Sequence, residues 1–578
     1  MRTKLIARLV VAVLGATFIA VSSGGPAAAD VGSPVGLGIR NYADMVVDTA
    51  RGQLFFSPGY NGTEVRVTDL SGGAQRTIPG LPGATGMTLS PDGGTLYVAL
   101  QKEDVIAAVD TTTLTETRRH RLGSDICPTW LRPAGGKIYF GYGCVFGKGL
   151  LGSLDVRGET PVLALNLPLD RVPVAPPLLR TSPGDPDLLM VADRATSPST
   201  LPGWPAIYDV SSGTPVKAAA LPGEDCSGLH DAALTPDAAK MILACRFLSD
   251  RTTKATEHAA FSTTDLSPAG RYPSGAYPIA VTTSPNGAFV IAGTSDRSST
   301  GLSTIYVQRP DGTLVHRYDL PPGRHLERQG LAVSADSGTL YAVTTGEDAL
   351  DPNLYVLTDY TRTGVSLALS APSSVEGGPV TLSGRLSFHG GAVTSPQTLQ
   401  VSRQDWIGTV RLPDGTTAAD GTFSLSDLPT SIGWNTYTVS RPGDATHAAV
   451  TRSVRVFVSS GASSITLSVR RSTAPVGRHL VTGTLAFGGA SVSTPWTLQV
   501  VRKDATGTHP MPAVVTGADG TFSFPINLWG TASSTYTVTF AATAVWRGSS
   551  QSVTVRPILT GTASRFGSRA TSGHRFPR

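Results

Sequence analysis

The sequence predicts an all-β protein, a seven-bladed β-propeller followed by two immunoglobulin-like β-sandwich domains. Three observations lead to this fold class. One hairpin unit recurs seven times within residues 30–362, and a second, unrelated unit then occurs twice in tandem. Glycine is abundant, with 64 of 578 residues, which is typical of many short strands joined by tight turns.

The hairpin unit is clearest in residues 86–100, GMTLSPDGGTLYVAL. Met87 and Leu89 alternate with polar neighbours, and a second apolar strand begins at Leu96. The four residues from Ser90 to Gly93 separate the two strands. Proline, aspartate and glycine in this order are typical of a type I turn, because proline presets φ at its second position. The unit is therefore predicted to be a β-hairpin.

The hairpin turns recur at intervals of 42 to 53 residues, and their anchors are Thr49, Pro91, Pro133, Pro183, Pro236, Pro285 and Ala335. A period of this length with several short strands per repeat is typical of a propeller.

A third strand follows each hairpin and usually ends on aspartate, at Asp69, Asp110, Asp155, Asp209, Asp265 and Asp359, with Arg309 in the remaining unit. Because aspartate can accept hydrogen bonds from the backbone of its own turn, we expect these acids to serve the turns rather than to bind metal. A fourth strand, such as residues 117–122 or 315–320, follows in six units. The seventh unit lacks one, and residues 32–39 are predicted to supply it and close the ring.

Residues 365–458 and 464–556 are two copies of one unit, related by a constant offset of 99. PQTLQVSRQD at 396–405 matches PWTLQVVRKD at 495–504, and ADGTFSL at 419–425 matches ADGTFSF at 518–524. About seven alternating strands in under 100 residues favour an immunoglobulin-like sandwich. Core or inter-sheet packing is the default expectation for its tryptophans, Trp406, Trp434, Trp496, Trp529 and Trp546; a carbohydrate-stacking platform is the alternative.

The N-terminus has the pattern of an export signal. Basic residues flank an apolar run, and small residues lead to a cleavage site after Ala29, so residues 1–29 are predicted to be a secretory signal peptide. No later stretch reaches the roughly 18–20 apolar residues that span a bilayer. We expect a secreted, extracellular protein, with cell-wall association left open, and a disordered basic tail at 557–578.

The four cysteines fit that compartment. Cys127 and Cys144 bracket one hairpin unit, and Cys226 and Cys245 bracket another, so each pair would lie on adjacent antiparallel strands. We predict two local disulfides in this pairing. Zinc is the alternative, but no CxxC spacing supports it.

The repeat at 90–100, SPDGGTLYVAL, resembles the YVTN-type, WD40-like propeller repeats of secreted prokaryotic proteins. The two ADGTF units resemble the bacterial Ig-like repeats that follow such propellers in actinobacterial surface and secreted proteins. The resemblance covers roughly residues 30–556. It implies extracellular binding, adhesion or scaffolding. Similar propellers include lactonases, but this sequence contains no lactonase motif from which catalytic residues could be assigned.

Common catalytic signatures are missing from the sequence: there is no GxSxG and no HExxH. The net charge is only +5, and no cluster of basic residues interspersed with aromatic residues occurs in the sequence. Both observations argue against a nucleic-acid partner. No metal or cofactor is predicted. The expected partner is an extracellular glycan, a cell-wall polymer or a protein.

Propellers place function at a mouth of the central channel, near the starts of the innermost strands. The candidate binding residues there are Tyr42, Asp44, Trp130, Arg180, His230, Asp231, Tyr277, Arg324, His325, Glu327 and Arg328. We expect non-catalytic recognition at this mouth, with the sandwiches as a spacer. The alternative is a lactonase-like or sugar-cleaving hydrolase that uses His230 or the region around His325. A third hypothesis, a purely structural protein, predicts that these residues do not converge.

Overall fold

A computed structural model describes residues 32–145, 147–193, 204–221, 226–248, 252–296, 302–347, 349–470, 478–488, 490–491, 494–527 and 532–556. All regular secondary structure within these ranges is β-strand, which confirms the all-β class. The predicted signal peptide with Ala29, the basic tail and Trp529 lie outside the described residues. The chain divides into two compact units. The first comprises the chain up to Ala368 with Leu386–Val393 and Pro442–Val450, and the second comprises the remainder.

Between Val35 and Leu357, the described residues form seven four-stranded antiparallel sheets. A short strand, β1 (Val35–Gly36), precedes the first of them. Sheets 1 to 3 each follow chain order and comprise β2 (Asp44–Asp48), β3 (Gln53–Ser57), β4 (Glu64–Asp69) and β5 (Arg76–Pro79); β6 (Ala84–Leu89), β7 (Thr95–Leu100), β8 (Val105–Asp110) and β9 (Thr115–Arg121); β10 (Pro128–Ala134), β11 (Lys137–Tyr142), β12 (Leu150–Asp155) and β13 (Val162–Ala164).

Sheets 4 to 6 follow the same order and comprise β14 (Leu178–Ser182), β15 (Asp185–Ala192), β16 (Ala206–Asp209) and β17 (Val216–Ala220); β18 (Ser227–Leu234), β19 (Lys240–Phe247), β20 (Glu257–Ser262) and β21 (Pro268–Pro273); β22 (Pro278–Thr283), β23 (Val290–Ser295), β24 (Ser303–Gln308) and β25 (Leu314–Asp319). Sheet 7 comprises β26 (His325–Val333), β27 (Leu340–Thr345) and β28 (Asn353–Leu357), with β1 as its fourth strand.

The first strand of each sheet contacts the first strand of the next, and β26 of sheet 7 contacts β2 of sheet 1. These seven strands, the inner strands, thus form a closed ring, and the fold is propeller-like. The ring is completed as predicted: Val35 pairs with Leu354 and Gly36 with Asn353. The N-terminal segment therefore covers the edge that sheet 7 would otherwise expose.

Four of the predicted hairpin turns are held by the same two side-chain hydrogen bonds. Ser90 Oγ accepts the N–H of Thr95 at 2.9 Å, and Asp92 Oδ1 accepts the N–H of Gly94 at 2.9 Å. The same two bonds recur in three other turns, which begin at Thr235, Ser284 and Ser334. The turn chemistry predicted from the repeat is therefore confirmed in these four turns.

The aspartates that end the third strands also serve turns, as predicted. Asp69, Asp110 and Asp209 each accept backbone N–H groups two to four residues ahead. Asp359 differs, because its carboxylate accepts the hydroxyl of Tyr318 at 2.7 Å instead.

Apolar side chains from facing sheets fill the space between them. Phe55 and Val67 of sheet 1 are fully buried in one cluster with Met87, Leu96 and Val98 of sheet 2. Burying one such side chain is worth about 1.5–3 kcal/mol. Both predicted disulfides are present, and each joins the inner strand region of a sheet to its second strand region, from Cys127 to Cys144 and from Cys226 to Cys245.

The remaining strands form two pairs of sheets. In the first repeat, β29 (Val365–Ser370), β31 (Val380–Phe388) and β35 (Thr422–Asp427) form one sheet, and the other has the order β30 (Ser374–Glu376), β37 (Val450–Ser459), β36 (Gly433–Arg441), β32 (Thr398–Gln404) and β33 (Thr409–Arg411), with β34 (Gly415–Thr416) also paired to β32.

In the second repeat, β38 (Ser463–Arg470), β39 (Arg478–Phe487), β40 (Ala490–Ser491) and β43 (Thr521–Asn527) form one sheet, and the other has the order β42 (Gly507–Val515), β41 (Thr497–Asp504), β44 (Ser534–Phe540) and β45 (Ser549–Val555).

The tryptophans of the two repeats depart in part from the packing expected of them. Trp546 is buried and stacks on Phe487 with ring centroids 4.2 Å apart. Trp406 and Trp434 are 78% and 53% exposed. The default expectation of core or inter-sheet packing is therefore wrong for these two. Trp406 follows the end of β32, and Trp434 lies on the solvent-facing side of β36, where it alternates with the buried Asn435 and Tyr437.

Candidate functional site

Two cavities lie along the inner strands. One, the entry cavity, has a volume of about 560 Å³ and is lined at the strand starts, near His230, Ile279 and Glu327. The other, the channel cavity, has a volume of about 380 Å³ and is lined by later residues of the same strands and by the turns at Pro183 and Pro236. The inner strands thus place different side chains at their two ends.

The entry cavity brings together four of the predicted site residues with two charged residues that sequence reasoning missed. The four are His230, Tyr277, Glu327 and Arg328, and the two are Arg246 and Asp296. Tyr277 is also flanked by cations. Lys254 Nζ lies 4.5 Å from its ring centroid, and the guanidinium carbon of Arg246 lies 6.0 Å from it. Tyr277 adopts a φ of 65°, an uncommon value for a side chain of this size.

His230 does not form a catalytic pair with the neighbouring Asp231. Its Nδ1 lies 2.9 Å from the carbonyl oxygen of Pro278, whereas Asp231 lines the channel cavity. The two side chains point apart because successive strand residues face opposite sides of a sheet. A β-bulge between Leu229 and Asp231 further changes the direction of the strand here. Glu327 accepts the hydroxyl of Thr345 at 2.5 Å.

In the channel cavity, two carboxylates join neighbouring sheets. Asp44 of sheet 1 accepts the N–H of Met87 in sheet 2 at 2.9 Å, and that of Met45 at 3.0 Å. Asp231 of sheet 5 accepts the N–H of Val281 in sheet 6 at 3.1 Å. Burial raises the pKa of Asp44, an effect that outweighs the opposing pull of Arg132 and of these N–H donors. Both predicted binding residues thus hold the ring together.

Arg180 is engaged in the same network. Its Nε donates to the carbonyl of Ala232 at 2.6 Å, its Nη1 donates to that of Leu179 at 2.9 Å, and its Nη2 contacts Asp231. Its side chain is 12% exposed. Arg180 is therefore the counter-ion of Asp231.

Tyr42 lies between the charged groups of the two cavities. Its hydroxyl donates to the carbonyl of Gln329 at 2.7 Å. Burial, together with the charges of Asp44, Glu327 and Asp231, raises the pKa of Tyr42 well above its usual value. Tyr42 is therefore a neutral hydrogen-bond donor.

The other predicted residues line neither cavity in the described part of the chain. Trp130 is buried in the hydrophobic cluster of sheets 3 to 5. Arg324 donates to the carbonyl of Asp351 at 3.3 Å, and His325 is buried opposite Thr345. A periodic pattern gives the strand but not which of two adjacent residues faces the channel.

Among the channel-cavity residues that sequence reasoning missed are Arg132 and Gln329. Arg132 follows Leu131 as Arg180 follows Leu179, so the repeated Leu-Arg pair was the available signal. Gln329 had no such signal, because it owes its position to an irregular stretch of β26 between Leu326 and Leu331.

One group of potential metal ligands occurs among the described residues: Asp104, Cys127 and Cys144. The two sulfurs are joined in a disulfide, and Asp104 accepts the N–H groups of Ile126 and Cys127. The disulfide interpretation of these cysteines is confirmed.

Comparisons with known proteins give structural similarity only. No family model matches the chain, and no curated protein matches it. Among solved structures, the hydrazine synthase of Kuenenia stuttgartiensis aligns at a TM-score of 0.43 and 17% identity, covering 57% of this chain and 98% of that one. A chain of a mitotic checkpoint complex aligns at a TM-score of 0.42 and 14% identity, covering 62% of this chain and 98% of that one. In the described ranges, the chain has no helix with the length and hydropathy required to cross a bilayer.

Proposed function

We propose that this chain is a secreted, non-catalytic recognition protein that binds an anionic extracellular glycan or cell-wall polymer at the entry cavity. In this proposal residues 30–362 form a seven-bladed β-propeller, and residues 365–458 and 464–556 form two Ig-like domains that act as a spacer. The seven four-stranded sheets and their closed ring support the first assignment. The paired sheets of each repeat support the second.

The observation that carries the proposal is the set of cations around Tyr277. Lys254 and Arg246 lie against its ring, and Arg328 lines the same cavity. An aromatic ring offers a stacking surface for a sugar, and guanidinium groups bind carboxylate or phosphate with paired hydrogen bonds. The convergence of these residues favours recognition over a purely structural role.

Secretion rests on the predicted signal peptide, on the resemblance to secreted repeat proteins and on the two disulfides. Disulfides persist in oxidising, extracellular environments.

The test is a binding assay with the complete mature chain and soluble polymers. Polygalacturonate and a teichoic acid are the anionic probes, and dextran is the neutral one. We expect both Tyr277→Leu and Lys254→Gln to weaken binding of an anionic polymer at least tenfold, because each removes one side of the cation–aromatic pair. Dextran should not bind.

Lys102 provides a matched control, since its Nζ lies 4.7 Å from the ring centroid of Tyr60, outside the entry cavity. Lys102→Gln removes the same charge from the same type of pair and should leave binding unchanged. Equal losses in Lys102→Gln and Lys254→Gln, or no binding of any anionic polymer, would contradict the proposal.

A hydrolase is the second candidate, because His230, Asp296 and Glu327 line one cavity. A histidine and a carboxylate near a bound sugar can act as general base and acid. Chain shortening of a bound polymer, lost in His230→Ala and in Glu327→Gln, would establish it. A polymer that binds without being cleaved would exclude this activity on that polymer.

A further inference from the structure

The channel cavity contains a side-chain amide without a partner. Gln329 lines this cavity and is only 6% exposed, yet neither Oε1 nor Nε2 has a hydrogen-bond partner. A buried polar group left unpaired gives up its hydrogen bonds to water without replacement, which destabilises the fold. Native proteins retain few such groups, so each one calls for an explanation.

The backbone holds Gln329 in this position. Its φ is 56°, in the left-handed region that a residue other than glycine seldom adopts. Its carbonyl accepts the hydroxyl of Tyr42. At the next position, a Cβ on Gly330 would lie 2.8 Å from the carbonyl oxygens of Glu327 and Val343. The chain is therefore fixed on both sides of the side chain, and strained backbone of this kind often marks a functional site.

Arg132 lines the same cavity and is less completely bonded than its counterpart Arg180. Both follow a leucine on consecutive inner strands, β10 and β14. Arg180 uses three nitrogens, one of them on Asp231. Within the described part of the chain, Arg132 donates hydrogen bonds through Nη1 alone, to the carbonyls of Leu131 at 2.6 Å and Met87 at 3.4 Å.

The charge of Arg132 is also poorly balanced. Its closest carboxylate oxygen, Oδ2 of Asp44, lies 3.9 Å from Nη1, beyond hydrogen-bond distance. That oxygen already accepts the N–H of Met87. One fifth of the Arg132 side chain is nevertheless accessible. A largely buried guanidinium with Nε and Nη2 unused can take a carboxylate in a bidentate manner.

We propose that the channel cavity binds a small hydroxycarboxylate, with its carboxylate on Nε and Nη2 of Arg132 and its hydroxyl groups on the amide of Gln329. The amide offers one acceptor and two donors, and therefore suits a hydroxyl group, which both donates and accepts. A cavity of about 380 Å³ suits a small molecule rather than a polymer. This site goes beyond the proposed function and is separate from the entry cavity.

Calorimetric titration of the complete mature chain tests the proposal, with lactate and glucuronate as probes and glucose as the neutral comparison. We expect saturable binding of at least one carboxylate and none of glucose. Gln329→Leu and Arg132→Met should each weaken that binding at least tenfold. Arg157→Met is the matched control, since Arg157 is exposed and pairs with Asp155 on the surface.

Tyr277→Leu separates this site from the entry cavity: it should weaken polymer binding at least tenfold and leave carboxylate binding unchanged. If Arg132→Met does not fold, Gln329→Leu alone decides the outcome. The proposal is overturned if no carboxylate binds, if glucose binds as tightly, or if folded Gln329→Leu binds as the unaltered chain does.

Discussion

His258 shows how a single polar side chain is accommodated in the core of this protein. It is fully buried, with Nδ1 2.9 Å from the hydroxyl of Ser274 and Nε2 3.2 Å from the carbonyl of Ala280. Both nitrogens are satisfied in the neutral ring, in which Nε2 donates and Nδ1 accepts. Burial lowers the pKa of His258 to about 4.

A consequence is acid lability. In the unfolded chain this histidine has a pKa near 6.5 and is protonated below that pH, whereas in the folded chain it stays neutral down to about pH 4. The stability from neutral His258 is therefore complete above about pH 6.5 and is lost as the pH falls towards 4. We expect a loss of about 2 kcal/mol between about pH 7.5 and pH 5 from this group, measured by urea unfolding at each pH.

His258→Gln should remove that part of the pH dependence, although it lowers stability at neutral pH. His509→Gln is the matched control, because this histidine is at the surface of the second repeat with its side chain 42% exposed. Parallel pH profiles for His258→Gln and the unaltered chain would show that His258 is not the group responsible.

At the scale of the elements, the inner strands are joined by buried carboxylates as well as by apolar packing. Asp44 and Asp231 occupy corresponding positions in sheets 1 and 5, and each accepts an N–H from the following sheet. The sequence indicated that both residues lie near the channel. It could not show that both carboxylates are already bonded, because the partners are backbone groups 43 and 50 residues away.

Asp231→Asn tests this role. The amide cannot neutralise Arg180, and its NH₂ group would face an N–H donor. We expect a loss of about 3–5 kcal/mol in the free energy of unfolding, as when one partner of a buried ion pair is removed. Urea denaturation measures it. Asp209→Asn, which changes an exposed turn aspartate in the same way, should cost much less, because solvent screens and replaces its interactions. Similar losses in both variants would contradict a joining role for Asp231.

At the scale of the whole molecule, the sequence predicted those features that depend on a repeated local pattern. It predicted less well the features that depend on contacts between distant segments. The hairpin turns, the turn aspartates, the disulfides and the strand that closes sheet 7 all follow from residues 32–359 read as repeats. The two cavities did not follow, because a bulge near His230 and an irregular stretch around Gln329 decide which side chains face inward. The exposure of Trp406 likewise depends on where a sheet ends.

Ring closure can be tested by shortening the chain. A chain that begins at residue 41 lacks β1 and the buried Leu37, and it exposes β28 as an unpaired edge. We expect a lower unfolding temperature and association through that edge, measured by thermal unfolding and size-exclusion chromatography. A chain that begins at residue 32 is the control. Identical behaviour of the two chains would show that β1 does not stabilise the ring.

The pairing of Val35 with Leu354 also sets an order of events. Loop closure over such a separation carries an entropic cost that must be met before the contact stabilises anything, and topologies of this kind fold slowly. Synthesis starts at the N-terminus, so the first strand to be made is among the last to find its partner. Until residue 357 has been made, sheet 7 has no finished edge to receive it. The ring can therefore be completed only after the whole of residues 35–357 has been synthesised.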